Sequence, residues 1–261
     1  GKFNKGIPII MGWNLFDAKL FTYPGFHFPS DEGSLLTLEQ TKCTLRRGLG
    51  QEKAAKLMEV YPPRRSYGVF DNRGLLGEMS TDVLFACPNS RAAAAMAAQN
   101  GSAWVYSFRR EPTCSPLSFP GPVHGAELAF VFGNQEKMAA FYRHQTWSHC
   151  TVAPQDKALS QTMMRLWGDF ARQGAQPAAW PQWSADAQPV LKLELASSLS
   201  RLSVETGFRK GQCEALAKAG LQAATTYVGP YLALPYCQDF GRRLSDQEEK
   251  AQARRAPSVF V

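Results

Sequence analysis

An α/β layered fold follows from three features of the sequence. Short apolar runs rich in β-branched and aromatic residues alternate with segments of helical, 3.6-residue apolar period. Glycine and proline clusters separate the two kinds of segment. With 44% hydrophobic and 11% aromatic residues over 261 positions, the chain is able to bury a sizeable core. No internal repeat and no domain boundary is visible, only loops.

Each element has a local justification. Gly6–Gly12, "GIPIIMG", is a short apolar run with Pro8 near its start and predicts a buried strand. Asn14–Phe21 leaves the end of that strand, and Tyr23–Ser34 is loop. Thr37-Leu38-Glu39-Gln40 fits a capping box and opens a helix that Gly48 to Gly50 interrupts. Gln51–Tyr61 is a second helix, stopped by Pro62-Pro63. Leu75–Ala86 and Asn89–Gln99 are predicted helices, the latter following Pro88. Ala103–Phe108, "AWVYSF", predicts a strand. Pro112–Pro122 is loop, Gly125–Gly133 begins a short apolar element, and Glu136–His144 is helical. Lys157–Arg172 carries Leu159, Met163, Leu166, Trp167 and Phe170 on one face, a stripe that predicts core packing. "PQWSADAQPVLKLEL" predicts a turn followed by a strand, and Phe208–Ala219 a last helix.

The formal net charge is +7, but the basic residues come as scattered pairs without a long run or an Arg/aromatic RNA-binding motif, which argues against a nucleic-acid partner. No stretch of about 18 apolar residues predicts a membrane span. The start, GKFNKGIPII, lacks Met and a signal-like pattern and is read as the interior of a longer protein or a processed or trimmed chain. Six cysteines, at 43, 87, 114, 150, 213 and 237, form no CxxC, which disfavours a zinc ribbon. Composition alone leaves disulfides in an oxidising compartment and six buried thiols about equally open.

His124 stands in "PGPVHGAELAFVFG", on a Pro/Gly loop beyond a strand, where a histidine can act as general base in a cleft. His27, His144 and His149 are weaker candidates, and no HxxxH pair predicts a metal site. The segment His124–Gly133, "HGAELAFVFG", resembles the histidine motif of the type-B carboxylesterases, the cholinesterase and cholesterol-esterase family of α/β-hydrolases. "LSQTMMRLWGDFARQGAQPAAWPQW", "STDVLFACPNSRAAAAMAAQNGSAWVYSF" and "IPIIMGWN" resemble further segments of that family, so the likeness covers most of residues 3–219.

The resemblance implies the C-terminal part of an α/β-hydrolase fold, a mixed, mostly parallel sheet flanked by helices. Residues 1–240 are then a portion of one such domain, and 241–261 a charged C-terminal helix or tail. It also implies an acid three residues beyond the turn residue Asn14, which is Asp17. "NLFDAKLF" is similar to the N-x-x-D-A-x-L-F of the cholesterol-esterase branch. Glu32 in "SDEGS" imitates the commoner D-E-G motif and is the alternative acid, but it sits far from the strand. Asp17 precedes His124 by 107 residues, in the order acid then base of α/β-hydrolase triads.

No G-x-S-x-G and no HGGG-type oxyanion segment occurs. The resemblance places the nucleophile serine and oxyanion hole in an N-terminal half, supplied as a separate chain or a further segment. The expected activity is serine carboxylic ester hydrolysis on a small-molecule ester, with neither cofactor nor metal. The alternative is a catalytically inactive binding or adhesion module, or an inert fragment. The aromatic loop Phe21–Phe28 is a candidate pocket lining. The resemblance further implies a Cys87–Cys213 disulfide. Cys114 and Cys150 flank the His124 loop and are expected to pair, and Cys43 and Cys237 are left unassigned. Such pairing implies a secreted, periplasmic or ER-lumenal protein.

Overall fold

A computed structural model describes residues 4, 6–19, 38–62, 72–114, 121–145, 150–194 and 203–221. Its contacts group the chain into two compact units, one of Gly1–Asp17 with Phe85–Arg209 and one of Ala18–Leu84 with Lys210–Val261. Each unit is discontinuous in sequence, which is why no linker marks a boundary.

The first unit is built on a four-stranded sheet of order β1-β2-β3-β4, with β1 Ile9–Asn14, β2 Ala103–Phe108, β3 Pro189–Leu193 and β4 Ser203–Thr206. β1 runs parallel to β2, with Ile9 opposite Ala103 and Asn14 opposite Phe108. β2 is parallel to β3, and β3 is antiparallel to β4. β1 starts three residues later than the sequence predicts. Pro8 has no N–H for the ladder, so pairing begins where the Ile9 N–H donates to the Ser102 carbonyl at 3.0 Å. The strand then continues past Gly12 to Asn14. Gly12 is required by a close approach, because a Cβ there would lie 2.5 Å from the Tyr106 ring and carbonyl oxygen on β2.

Both faces of this sheet are covered, as side-chain alternation along β2 shows. Trp104 and Phe108 join Phe130, Leu159, Met163, Leu166, Trp180, Leu191 and Leu193 in one buried cluster. Ala103 and Val105 join Trp13, Ala86, Ala93, Met96, Trp183 and Val190 in another. The predicted Leu159, Met163 and Leu166 stripe is fully buried core. The buried Trp180 donates its indole N–H to the Val105 carbonyl at 3.1 Å, so its large apolar area is buried without an orphaned donor.

Among the described residues four helices belong to this unit, α4 Cys87–Ala97, α5 Leu128–Val131, α6 Gln135–Gln145 and α7 Pro154–Gln173, and α3 Arg73–Thr81 precedes them in the chain. α3 passes into a π-helical turn, Asp82–Ala86, before α4. Two helices with a break before Pro88 are expected; the run is continuous instead. Proline lacks the N–H owed to the carbonyl four residues back and crowds it, and the wider π turn relieves that crowding. The Asn89 side-chain amide donates to the Phe85 carbonyl at 2.8 Å and satisfies part of the disturbed ladder.

The second unit holds α1 Leu38–Leu49, α2 Gln51–Val60, α3, and α8 Lys210–Lys218. α1 and α2 pack on one another across Gly50, and α2 also packs on α8. Several of its buried polar groups are paired. The Tyr61 hydroxyl donates to Asp82 at 2.8 Å, and Thr81 accepts the Ala18 N–H while donating to the Gly77 carbonyl. Residues 241–261 lie outside the described residues.

Candidate active site

The acid and the base leave the carboxyl ends of neighbouring parallel strands. Asp17 follows β1 by three residues. Asn14 to Asp17 forms a turn closed from both sides: the Asp17 N–H donates to the Asn14 carbonyl at 3.0 Å, and the Asn14 N–H donates to Asp17 Oδ2 at 2.8 Å. The loop that carries His124 comes from β2. It is pinned to the acid's turn, because the Phe16 N–H donates to the Pro122 carbonyl at 3.1 Å. Gly121 allows the approach. Its φ is 105°, and a Cβ there would sit 2.2 Å from the Phe16 ring.

The result is a direct contact between His124 Nδ1 and Asp17 Oδ1 at 2.6 Å. Asp17 is buried, with only 5% of its side chain exposed, whereas His124 keeps half of its side chain exposed. One carboxylate therefore accepts from a backbone N–H and from the imidazole at once. The Phe85 ring, held by the π turn, lies 5.4 Å from the His124 ring and tilted by 39°. π turns are common where a side chain must be re-aimed.

Charge shapes the titration. The hydrogen bond from Asp17 raises the His124 pKa above the ordinary 6.5, burial opposes that rise, and the charges of Asp17 and Glu127 add to it. The Tyr106 phenol is also pushed up, chiefly by burial and then by Glu127 and Asp17. Glu127 and Asn14 belong to this constellation; sequence reasoning used Asn14 only to locate the acid and gave Glu127 no role. The Asn14 side-chain amide donates to the Val123 carbonyl at 2.9 Å and to Glu127 Oε2. Only the position of Glu127, three residues beyond the histidine, signals it in the sequence.

His124 and Asp17 are thus brought together. Glu32, the alternative acid, lies outside the described residues, as do His27, His149 and the loop Phe21–Phe28. His144 is exposed on α6. Cys114 and Cys150 form a disulfide across 36 residues. Cys43, Cys87 and Cys213 are each disulfide-bonded as well, while Cys237 lies outside the described residues. Beside the Cys114–Cys150 bridge, the buried Asp156 accepts from Arg110 Nε at 2.5 Å, the Thr113 N–H at 2.8 Å and the Thr113 hydroxyl at 2.7 Å. Among the described residues no group of three or more His, Cys, Asp or Glu is arranged to hold a metal ion. None of the described helices is long and apolar enough to cross a membrane.

Comparisons with known proteins identify the family. The model of the carboxylesterase family matches residues 2–216. Acetylcholinesterase of Bungarus fasciatus is 33% identical over 131 residues, 47% of this chain and 20% of that protein. Acetylcholinesterase of Gallus gallus is 28% identical over 204 residues, 74% of this chain and 24% of that protein. The solved structure of a PNB esterase superposes with a TM-score of 0.53 at 25% identity, covering 81% of this chain and 38% of that one. The chain belongs to the carboxylesterase family. Its mostly parallel mixed sheet with flanking helices is α/β-hydrolase architecture, and it matches about a fifth to a quarter of the length of these two curated relatives.

Proposed function

We propose that this chain is the acid-and-base portion of a carboxylic ester hydrolase, residues 1–240 being part of one α/β-hydrolase domain. The observation that carries the reading is the 2.6 Å contact between Asp17 Oδ1 and His124 Nδ1. With Nδ1 committed to the carboxylate, proton transfer falls to Nε2. A serine supplied by an N-terminal half, on the same or a separate chain, attacks the ester carbonyl carbon while His124 takes its proton. Collapse of the tetrahedral intermediate breaks the carbon–oxygen bond, and His124 returns the proton to the departing alkoxide. Water then repeats the sequence on the acyl-enzyme, releasing the acid and regenerating the serine. Asp17 fixes the imidazole tautomer and stabilises the imidazolium formed in each step.

The disulfide-bonded cysteines support an oxidising compartment, secreted, periplasmic or ER-lumenal. Cys87 with Cys213 is the pairing proposed for two of them, consistent with the family resemblance. A small-molecule ester is the proposed substrate, and no step draws on a metal or cofactor. Replacing His124 by alanine in the full-length protein is expected to lower turnover of a p-nitrophenyl ester by about 10³-fold or more. Full activity in that variant overturns the assignment. Intact mass of the native particle, with and without denaturant, tests whether the serine half is a separate polypeptide.

A further inference from the structure

We propose that Asn14 is a positioning residue for the Asp17–His124 pair, its side-chain amide locking the histidine loop onto the turn that carries the acid. The inference rests on the catalytic reading of that pair and adds a residue to it. Asn14 is the last residue of β1 and is 1% exposed. Its main chain meets the acid, and its side chain meets residues on either side of the histidine. Its main-chain N–H donates to Asp17 Oδ2, the oxygen not facing the histidine, at 2.8 Å. Its side-chain nitrogen donates to the carbonyl of Val123, the residue immediately before His124, at 2.9 Å, and to Glu127, three residues beyond it. The histidine is therefore bracketed on both sides by one amide group rooted in a sheet strand.

The chemistry of the side chain suits this task. A neutral primary amide offers two hydrogens in one plane, and the site has two acceptors, one of them a carboxylate. Aspartate of the same shape offers no hydrogen and sets a second negative charge against Glu127. Serine offers one donor and is too short to reach both. Because the group is buried, its bonds are not readily replaced by water. Asn14 touches neither proton in flight nor His124 itself, so it acts through the placement of the loop.

The test uses the full-length protein and hydrolysis of a p-nitrophenyl ester. Asn14→Ala is expected to lower kcat about 10- to 100-fold, the penalty of a misplacement near 1 Å, with KM within about twofold of the parent value. The acid limb of kcat/KM should move to lower pH, because His124 loses part of the close Asp17 bond that favours its protonated form. A kcat and limb both unchanged overturn the proposal, and so does a fall in kcat with the limb unmoved, which indicates general destabilisation. If Asn14→Ala does not fold, Glu127→Ala and Glu127→Gln examine the same contact from the other side. Both variants remove the charge, so their difference isolates the hydrogen bond: kcat of the glutamine variant should exceed that of the alanine variant, and equal values overturn the proposal. The outcomes separate from those of the underlying reading: inactive His124→Ala beside fully active Asn14→Ala removes Asn14 alone, whereas active His124→Ala removes both.

Discussion

At the scale of single residues, the decisive quantity is the proton on His124. The Asp17 bond raises its pKa above 6.5, and a general base must begin neutral. The acid limb of kcat/KM is therefore expected above pH 6.5, and Asp17→Asn should move it down while lowering kcat about 10⁴-fold through the wrong tautomer. A limb at or below 6.5 in the parent protein contradicts this account. The linkage sign follows from the same shift. A raised folded pKa means the fold favours the protonated histidine, so this stabilisation is fully present below 6.5 and is lost as pH rises through the folded value. Its size is small, because half of the side chain is exposed. His124→Gln should thus narrow the stability difference between pH 5.5 and 8.5, read from urea midpoints. Gly121 belongs to the same scale. Gly121→Ala must resolve a 2.2 Å approach to Phe16 at a φ of 105°, and a loss of about 2 kcal/mol or more is expected from urea denaturation. Asp17 and His124 were legible because each sits in a short contiguous pattern. Asn14 and Glu127 were not recognised as parts of the site, because their contacts span more than a hundred residues of sequence.

Elements were legible where their pattern is local. The α7 stripe specifies both its helix and its buried face, because Leu159, Met163 and Leu166 repeat at helical spacing and meet the sheet directly. Leu166→Ala is expected to cost about 2–5 kcal/mol, measured by denaturant titration, with the higher values if the cavity stays open. At the start of the same helix, Asp156→Ala removes three hydrogen bonds and leaves Arg110, itself 18% exposed, without its carboxylate. A loss of about 3 kcal/mol is expected in the same assay, and an unchanged midpoint shows that this cluster adds nothing to stability. Other elements were less legible for physical reasons. β4 spans only Ser203–Thr206, has no apolar alternation and owes its existence to pairing with β3. The register of β1 was set by where the ladder can begin after Pro8. The π turn before Pro88 answers a steric conflict between residues four apart, whereas propensity reading stops at the proline and divides the helix.

On the scale of the whole molecule, the family resemblance carried most of the fold, and the contact-defined units had no counterpart in the sequence because both are assembled from separated stretches. The Cys114–Cys150 bridge closes 36 residues of chain, worth about 3–4 kcal/mol in the chain-entropy account. Replacing Cys114 and Cys150 together by serine should lower the urea midpoint accordingly, and an unchanged midpoint argues that the bridge is dispensable. The parallel pairing of β1 with β2 has one more consequence, concerning time. Asp17 and His124 are 107 residues apart in the chain, and their contact requires two strands that are distant in sequence to be side by side first. Closing so long a loop is slow compared with forming any helix. The histidine's elevated titration is then a clock hand for the last stage of assembly: during refolding it should return after the helical circular dichroism has recovered, never before it.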